Sequence, residues 1–275
     1  MKKIFILATS LISLSFLQAQ LQVADTLNNV DLVQSLSGPG LTISNVIVDC
    51  PDGAYGQFFG DNTNLGLDEG VLLTTGGINN AIGPNNTGSS AVLNGEPGDA
   101  DLDALITVAT EDACVIEFDL ETIGDSLRFN YIFGSEEYLE FVNAGFNDVF
   151  AFFISGPGIV GTQNIALVPG TNIPVAIDNV NSTSNSTYYV NNGTGANAPF
   201  NTDPQYIQYD GYTVPLQAIV SDLIPCSVYH LKLAIADGGD DNYDSGVFLQ
   251  AGSFTSDAVA IAAGSVVDPN YNFEC

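Results

Sequence analysis

Carboxylates outnumber basic side chains in this chain to a degree that limits how it can fold. The 275 residues include 32 Asp and Glu against 4 Lys and Arg, which gives a formal net charge of −28. Uncompensated negative charges repel one another and destabilise a compact state. A folded form therefore needs screening by salt, specifically bound cations, or both.

The N-terminal residues predict a signal peptide over residues 1–19. Lys2 and Lys3 form a short positive region, the apolar run 4–16 is too short to span a bilayer, and Ala19 occupies a cleavage position. No later apolar run reaches transmembrane length, so we expect no transmembrane segment in the mature chain. Removal of the peptide leaves two basic residues against 32 acidic ones. This excess excludes nucleic acid as a partner, because nothing would release phosphate counterions.

The rest of the sequence predicts an all-β fold, a β-sandwich of jelly-roll type with long acidic loops. Short apolar runs rich in β-branched and aromatic residues alternate with clusters of turn residues. We assign residues 20–257 to this domain and 258–275 to a linker or the start of a following module. Segment 182–204 predicts a long surface loop, and 216–223 predicts one short helix. The predicted strands are 41–48, 70–75, 104–108, 114–120, 126–133, 148–154, 164–168, 206–209, 227–236 and 246–254.

Two of these strands have informative patterns. In 229–236 the odd-numbered apolar residues face one side, whereas His230 and Lys232 face the other. The run 149–154 is apolar on both faces and predicts a central strand covered on each side. Arg128, an isolated cation in another strand, is predicted to pair with a carboxylate inside the sandwich.

The four cysteines predict disulfides, because their number is even and the chain is exported. Three pairings are possible, and the sequence does not choose between them. Cys275 is the last residue, so it could also pair outside this chain, which would make the chain a fragment of a longer protein. The residues concerned are Cys50, Cys114, Cys226 and Cys275.

Three acidic clusters predict calcium binding, because carboxylate and amide oxygens are the ligands that calcium prefers. The densest cluster, 237–245, lies between two predicted strands and contains two glycines that allow a tight path. A second flanks the apolar strand 149–154, and a third has D-x-D-x-D spacing without the later residues of an EF-hand. Solvated acidic turns are the simpler alternative. The predicted ligands are Asp237, Asp240, Asp241 and Asp244, then Glu136, Glu137 and Asp148, and finally Asp99, Asp101 and Asp103.

Catalytic chemistry has little support in the sequence. The one histidine, His230, lies in the middle of a strand without a nucleophile elbow nearby, so we interpret it as structural. A glycosidase needs a partly buried acid opposite a second carboxylate, and no spacing singles out such a pair. We therefore expect a non-enzymatic protein.

Several segments together resemble the choice-of-anchor L domain of secreted and surface proteins of Bacteroidetes and other bacteria. The resemblance spans residues 41–254 and implies surface display or adhesion, often with a type IX secretion signal, and no transferable enzymatic activity. The segments that carry it are 64–76, 133–138, 146–158, 229–237 and 244–249.

The leading hypothesis is a secreted or cell-surface adhesion module, stabilised by calcium, with an unidentified extracellular protein or glycan as its partner. One alternative is a carbohydrate-binding module or an accessory domain of a glycoside hydrolase or lyase. It predicts a groove lined by exposed aromatic residues chosen from Tyr188, Tyr189, Tyr206, Tyr209 and Tyr212. Another is a purely structural spacer, which predicts neither metal nor ligand.

Overall fold

The computed structural model describes residues 20–194, 205–256 and 275. The predicted signal peptide and most of the predicted linker lie outside these residues. Two antiparallel sheets pack face to face, which confirms the all-β sandwich. Among the described residues, no helix has the length and apolarity needed to cross a bilayer.

The larger sheet has eight strands. β6 lies in its interior and pairs with β13 on one side and with β10 and β11 on the other. In spatial order the strands are β1 (Gln22–Ala24), β3 (Tyr55–Phe59), β4 (Glu69–Thr74), β13 (Ser245–Gln250), β6 (Leu127–Ser135), β10 (Gly211–Thr213) and β9 (Tyr189–Asn191), with β11 (Leu216–Val220) beside β6.

The smaller sheet has five strands and contains the longest pairing in the molecule, between β5 and β12. In spatial order these strands are β2 (Leu41–Asp49), β5 (Thr110–Thr122), β12 (Ser227–Gly238), β7 (Val149–Ser155) and β8 (Gln163–Asn164). Two short helices, α1 (Asn29–Gln34) and α2 (Ala100–Asp103), and two 3-10 turns complete the described elements.

The core between the sheets follows from the alternation of side chains along each strand. In β12 the odd-numbered residues 229–235 are fully buried, whereas His230 is exposed, as the pattern predicts. Aromatic rings join the two sheets: the centroids of Phe129 and Phe152 lie 4.0 Å apart, and Phe254 lies 4.9 Å from Phe129. Burial of each such ring contributes about 1.5–3 kcal/mol.

Strand β7 is covered on both faces, as its unbroken apolar run predicts. Phe150, Phe152 and Ile154 face the core between the sheets. Val149, Ala151 and Phe153 belong to a smaller apolar cluster on the other face, which includes Leu102 of α2. The helix therefore caps the outer face of the smaller sheet.

Several predicted elements are wrong. The predicted helix 216–223 is strand β11, because Leu216 and Ala218 alternate with the exposed Gln217 and Ile219 and the segment pairs with β6. Segment 104–108 follows α2 as a turn, and segment 206–209 has one isolated bridge while the strand begins at Gly211. The predicted strand 164–168 shrinks to β8, and 246–254 ends at Gln250. The predicted loop 182–204 contains a 3-10 turn and β9.

Arg128 does not lie inside the sandwich, contrary to prediction. It is half-buried on the face of β6 opposite to Phe129, which faces the core.

The structure selects one of the three possible disulfide pairings. Cys50 bonds to Cys114 and Cys226 bonds to Cys275. The expectation that Cys275 pairs outside this chain is therefore wrong. Closing the 64-residue separation between Cys50 and Cys114 stabilises the fold by about 4 kcal/mol in the chain-entropy model.

Candidate functional site

Five buried carboxylates meet at one end of the sandwich. Strand pairing brings them together: Ser135 at the end of β6 is opposite Ser245 at the start of β13, and Ala236 near the end of β12 is opposite Val149 at the start of β7. The residues just outside these strand ends are acidic, and each is at most 1 % exposed. We call Glu136, Glu137, Asp148, Asp237 and Asp244 the buried acid cluster.

Two members of the buried acid cluster are well supplied with hydrogen-bond donors. Asp148 accepts from the hydroxyl of Ser245 at 2.6 Å and from the amide of Gly238 at 2.9 Å. Asp244 accepts from the amide of Val92 and from the side chain of Asn80, each at 2.9 Å. These donors stabilise the ionised form of both carboxyl groups.

The other three members have oxygens without a donor. Oε2 of Glu136, Oε2 of Glu137 and Oδ1 of Asp237 are buried and have no hydrogen-bond partner, and neither does the hydroxyl of Tyr209. The electrostatic neighbours of Tyr209 are Asp244, Glu136, Asp237 and Asp148, so this hydroxyl lies beside the cluster. Each unpaired buried polar atom costs about 1–3 kcal/mol. The cluster as described is incomplete.

Burial and mutual repulsion raise the pKa of every member of the cluster. Burial is the larger cause for Asp148, whose pKa rises to about 7, and Asp244 and Asp240 add repulsion. Burial and then the repulsion of Asp148 raise the pKa of Asp237 well above its ordinary value. In the same way, the pKa of Glu136 rises to about 9, that of Glu137 to about 10 and that of Asp244 to about 6.

The chain's own cations lie elsewhere. Outside residues 1–19 the sequence has only Arg128, Lys232 and His230. Lys232 binds Asp99 and Asp101, and His230 bonds to Glu117 and Asp119. Arg128 lies near the opposite end of β6, about 23 Å along the strand from Ser135. None of these three can neutralise the buried acid cluster.

An ordered loop crosses the cluster and is held by it. Residues 84–96 have no regular secondary structure, and we call them the acid-anchored loop. The amide of Ser90 donates to Glu136 and that of Val92 to Asp244, both at 2.9 Å. Further along, the amides of Asn94 and Glu96 donate to Asp112. The loop thus depends on carboxylates rather than on a sheet for its backbone partners.

The arrangement can bind a small cation. Buried carboxylate oxygens with neutral hydroxyls beside them are suitable ligands for calcium, and Ser245, Thr75 and Tyr209 supply such hydroxyls. Among the described residues, no three His, Cys, Asp or Glu side chains already meet the spacing of a metal group. A bound ion would therefore draw on neutral oxygens as well as on carboxylates.

Five of the ten predicted ligands form the cluster, and the other five lie outside it. Asp240 and Asp241 are partly exposed in the β12–β13 connection, where Asp240 accepts from the amide of Asn242. Asp99 caps α2 and, with Asp101, binds Lys232 at 2.6 Å. Asp103 accepts from Thr110. The D-x-D-x-D spacing thus serves a helix terminus and an ion pair.

Sequence reasoning missed one buried acid beside the cluster. Asp210 is fully buried, its Oδ2 has no partner, and burial raises its pKa to about 8. It stands alone between tyrosines in the sequence, so no density of acids marked it.

The predicted aromatic groove is absent at two of its positions, because Tyr209 and Tyr212 are buried in an apolar cluster. Tyr188, Tyr189 and Tyr206 are partly buried and pack against other core residues.

Comparison with known proteins gives one extensive match. The model of the Choice-of-anchor L domain matches residues 20–255. No curated protein matches the chain. Among solved structures, TmCBM61 in complex with β-1,4-galactotriose is similar at 8 % identity over 79 % of this chain and 92 % of that chain, with a TM-score of 0.25. A TM-score this low supports no inference about this chain.

Proposed function

The chain belongs to the choice-of-anchor L domain family, and we propose that it is a non-enzymatic adhesion or binding module that calcium stabilises. Family membership implies a secreted or cell-surface module. The adhesive role, the absence of catalysis and the calcium ion are our additions. The partner is an extracellular protein or glycan.

The observation that carries the calcium proposal is the environment of Asp237. This side chain is 1 % exposed, receives one hydrogen bond from Thr75, and has a second oxygen without a partner. Its nearest charges are Asp148, Asp244 and Glu137, all negative. A buried carboxylate with only like charges around it is costly. A divalent cation among these oxygens removes both the repulsion and the unpaired atom.

Calcium fits this chamber better than magnesium does. Calcium accepts six to eight oxygen ligands in flexible geometry, whereas magnesium demands a near-ideal octahedron and keeps several waters. The cluster offers carboxylates from four different strand ends, and no preformed octahedron. Extracellular modules bind calcium at about 0.1–1 mM, so the site would be filled outside the cell and empty inside it.

The ion would also order the acid-anchored loop. Glu136 and Asp244 hold the amides of Ser90 and Val92, and this grip weakens when the carboxylates become protonated. The loop displays Val92 and Leu93, which are 42 % and 58 % exposed. Calcium binding and the presentation of this surface are therefore coupled.

Thermal unfolding of the mature chain in calcium and then in chelator tests the proposal. At a calcium concentration a hundred times the dissociation constant, one site adds about 2.7 kcal/mol. For a domain of this size we expect the midpoint to rise by about 5–10 °C. Hydrogen exchange should show that the amides of Ser90 and Val92 gain protection in the same titration. Equal midpoints in calcium and chelator would refute the proposal.

A second candidate function, glycan binding, rests on a polar cleft on the outer face of the smaller sheet. The cleft has a volume of about 260 Å³ and is lined by Asp101, Glu117, Phe153, Ser155, Thr162, His230 and Lys232. Its acceptors, donors and hydroxyls suit a saccharide, and its floor includes one aromatic ring. A glycan array on the wild type and on Thr162→Trp, which would block the cleft, tests this function. Binding that is equal in both, or lacking in both, would refute it.

A further inference from the structure

A second group of unpaired oxygens lies on the other side of β6 from Asp244. Ser135 at the end of β6 is paired with Ser245 on one side and with Gly211 on the other. Asp244 and Asp210 immediately precede these two partners. Because adjacent strands are about 4.7–4.9 Å apart, the backbones of these two acids are separated by about 10 Å.

Asp210 is held rigidly with one oxygen free. Its Oδ1 accepts from the side chain of Asn85 at 2.8 Å, and Asn85 is fixed in turn by the carbonyl of Asn192 and the side chain of Gln208. Oδ2 of Asp210 is buried without a partner. A side chain fixed on one oxygen and unpartnered on the other is aimed at a missing ligand.

Two further unpaired oxygens adjoin Asp210. Glu136 receives Ser90 and Gln208 on Oε1, while its Oε2 has no partner, and Asp210 is its strongest charged neighbour. The hydroxyl of Tyr189 is also buried without a partner and feels the charge of Asp210. This hydroxyl lies next to Gly211: a Cβ built there would be 2.8 Å from it.

We propose that Asp210 and Glu136, beside the hydroxyl of Tyr189, hold a second divalent cation. This proposal rests on the proposed function, because it takes the chain to be a binder of divalent ions. The two sites have different neighbours. The charges that act on Asp237 are Asp148, Asp244 and Glu137, whereas the charge that acts on Asp210 is Glu140.

The second ion would tie together three segments that no long strand pairing joins. Asn85 belongs to the acid-anchored loop, Asp210 precedes the three-residue β10, and Tyr189 begins the three-residue β9. Strands this short contribute little stability by themselves. An ion between them therefore fixes this edge of the larger sheet.

Terbium luminescence provides the test, because a tyrosine near a bound terbium ion transfers excitation to it. The chain has 11 Tyr and no Trp, so the sensitisers are tyrosines. The probe is terbium chloride titrated into the mature chain, with calcium as competitor. We expect the wild type to bind two ions and Asp210→Asn to bind one. Asp210→Asn keeps the acceptor for Asn85, and near-ultraviolet circular dichroism checks its fold.

Tyr189→Phe provides a second readout that does not depend on a charged variant. The Tyr189 hydroxyl has no hydrogen bond to lose, so the fold and both ions should be retained. If the ion lies beside this hydroxyl, its emission spectrum or its affinity for terbium changes in Tyr189→Phe and the other ion is unaffected.

The outcomes separate the two proposals. If Asp237→Asn loses all bound terbium and Asp210→Asn loses none, the second site is refuted and the first stands. If Asp210→Asn loses one ion and Asp237→Asn loses the other, both sites stand. If the wild type binds no terbium, both fail. Should Asp210→Asn not fold, an unchanged terbium affinity and spectrum in Tyr189→Phe refutes the second site.

Discussion

Two sets of carboxylates in this protein differ in how they are neutralised. On the outer face of the smaller sheet, Lys232 lies 2.6 Å from both Asp99 and Asp101, and His230 lies between Glu117 and Asp119. At the end of the sandwich, the buried acid cluster has neutral donors and several oxygens without any donor. The chain places its cations beside partly exposed acids and none beside the most buried ones.

The difference teaches where an outside cation is needed. An exposed carboxylate is stabilised by water and needs little else, so its ion pair adds modestly to stability. A buried carboxylate has lost its water, so it must be protonated or paired. A lysine needs a long apolar channel to reach such a site, whereas a small divalent ion needs only oxygens. The four predictions below test this contrast.

The largest expected effect is the loss of calcium dependence in Asp237→Asn. The amide keeps the acceptor for Thr75 and removes one buried charge, so we expect the variant to be at least as stable as the wild type in chelator. In calcium it should lose the gain of about 2.7 kcal/mol. Chemical denaturation in both buffers measures this, with Asp101→Asn as the matched exposed control that keeps the full calcium response. A full response in Asp237→Asn would break the contrast.

A smaller effect is expected for Ser245→Ala in chelator. The Ser245 hydroxyl donates to Asp148 at 2.6 Å in a fully buried site, so its removal leaves a carboxylate oxygen unsatisfied. The expected loss is about 2 kcal/mol in the free energy of unfolding. Ser35→Ala removes a bond of the same length to the carbonyl of Leu32 in a partly buried turn and should cost at most about 1 kcal/mol. Equal losses would argue against a special cost at Asp148.

The exposed set should respond weakly and without calcium. Lys232→Gln removes both ion pairs on α2, and we expect a loss of about 1 kcal/mol that shrinks at high salt. Urea denaturation at low and high salt, each with calcium and with chelator, gives the measurement. A loss that depends on calcium would connect the two sets and contradict their separation.

The smallest effect concerns His230, the one histidine of the chain. Burial lowers its pKa, but hydrogen bonds from Asp119 and Glu117 and their charges outweigh burial, so its pKa lies above the ordinary 6.5. Because the folded-state pKa is the higher one, the stabilisation is complete below about 6.5 and is lost as the pH rises through the folded-state pKa. It should not exceed about 0.5 kcal/mol at this half-exposed site.

The imidazole resonances of His230 give this pKa directly by nuclear magnetic resonance. Asp119→Asn should lower it towards the ordinary value, while Asp112→Asn, far from the histidine along β5, should leave it unchanged. A pKa at or below 6.5 in the wild type would show that the exposed set is not a set of ion pairs.

Much of the fold was predictable because local patterns determine it. The alternation in β12 and the unbroken apolar run of β7 gave both strands and their buried faces. Segment 216–223 was predicted wrongly because its apolar spacing also fits a helix, and only pairing with β6 decides for a strand. The cysteines allowed three pairings, and the choice between them depends on distances in the folded chain.

The candidate site was predictable in part. Acids that flank strongly apolar strands gave Glu136, Glu137, Asp148, Asp237 and Asp244, because strand ends bring their flanking residues together. Their complete burial was not predictable, since acidic turns are ordinarily solvated. Asp210 joins the site through long-range pairing alone, so no local density of acids indicated it.

Anomalous scattering from a crystal of the mature chain grown with terbium or calcium locates bound ions directly. The account predicts a strong anomalous peak between the carboxylates of Asp148 and Asp237, within ligand distance of both. A well-ordered map with no peak there, and with these two carboxyl groups joined by a shared proton instead, would contradict it.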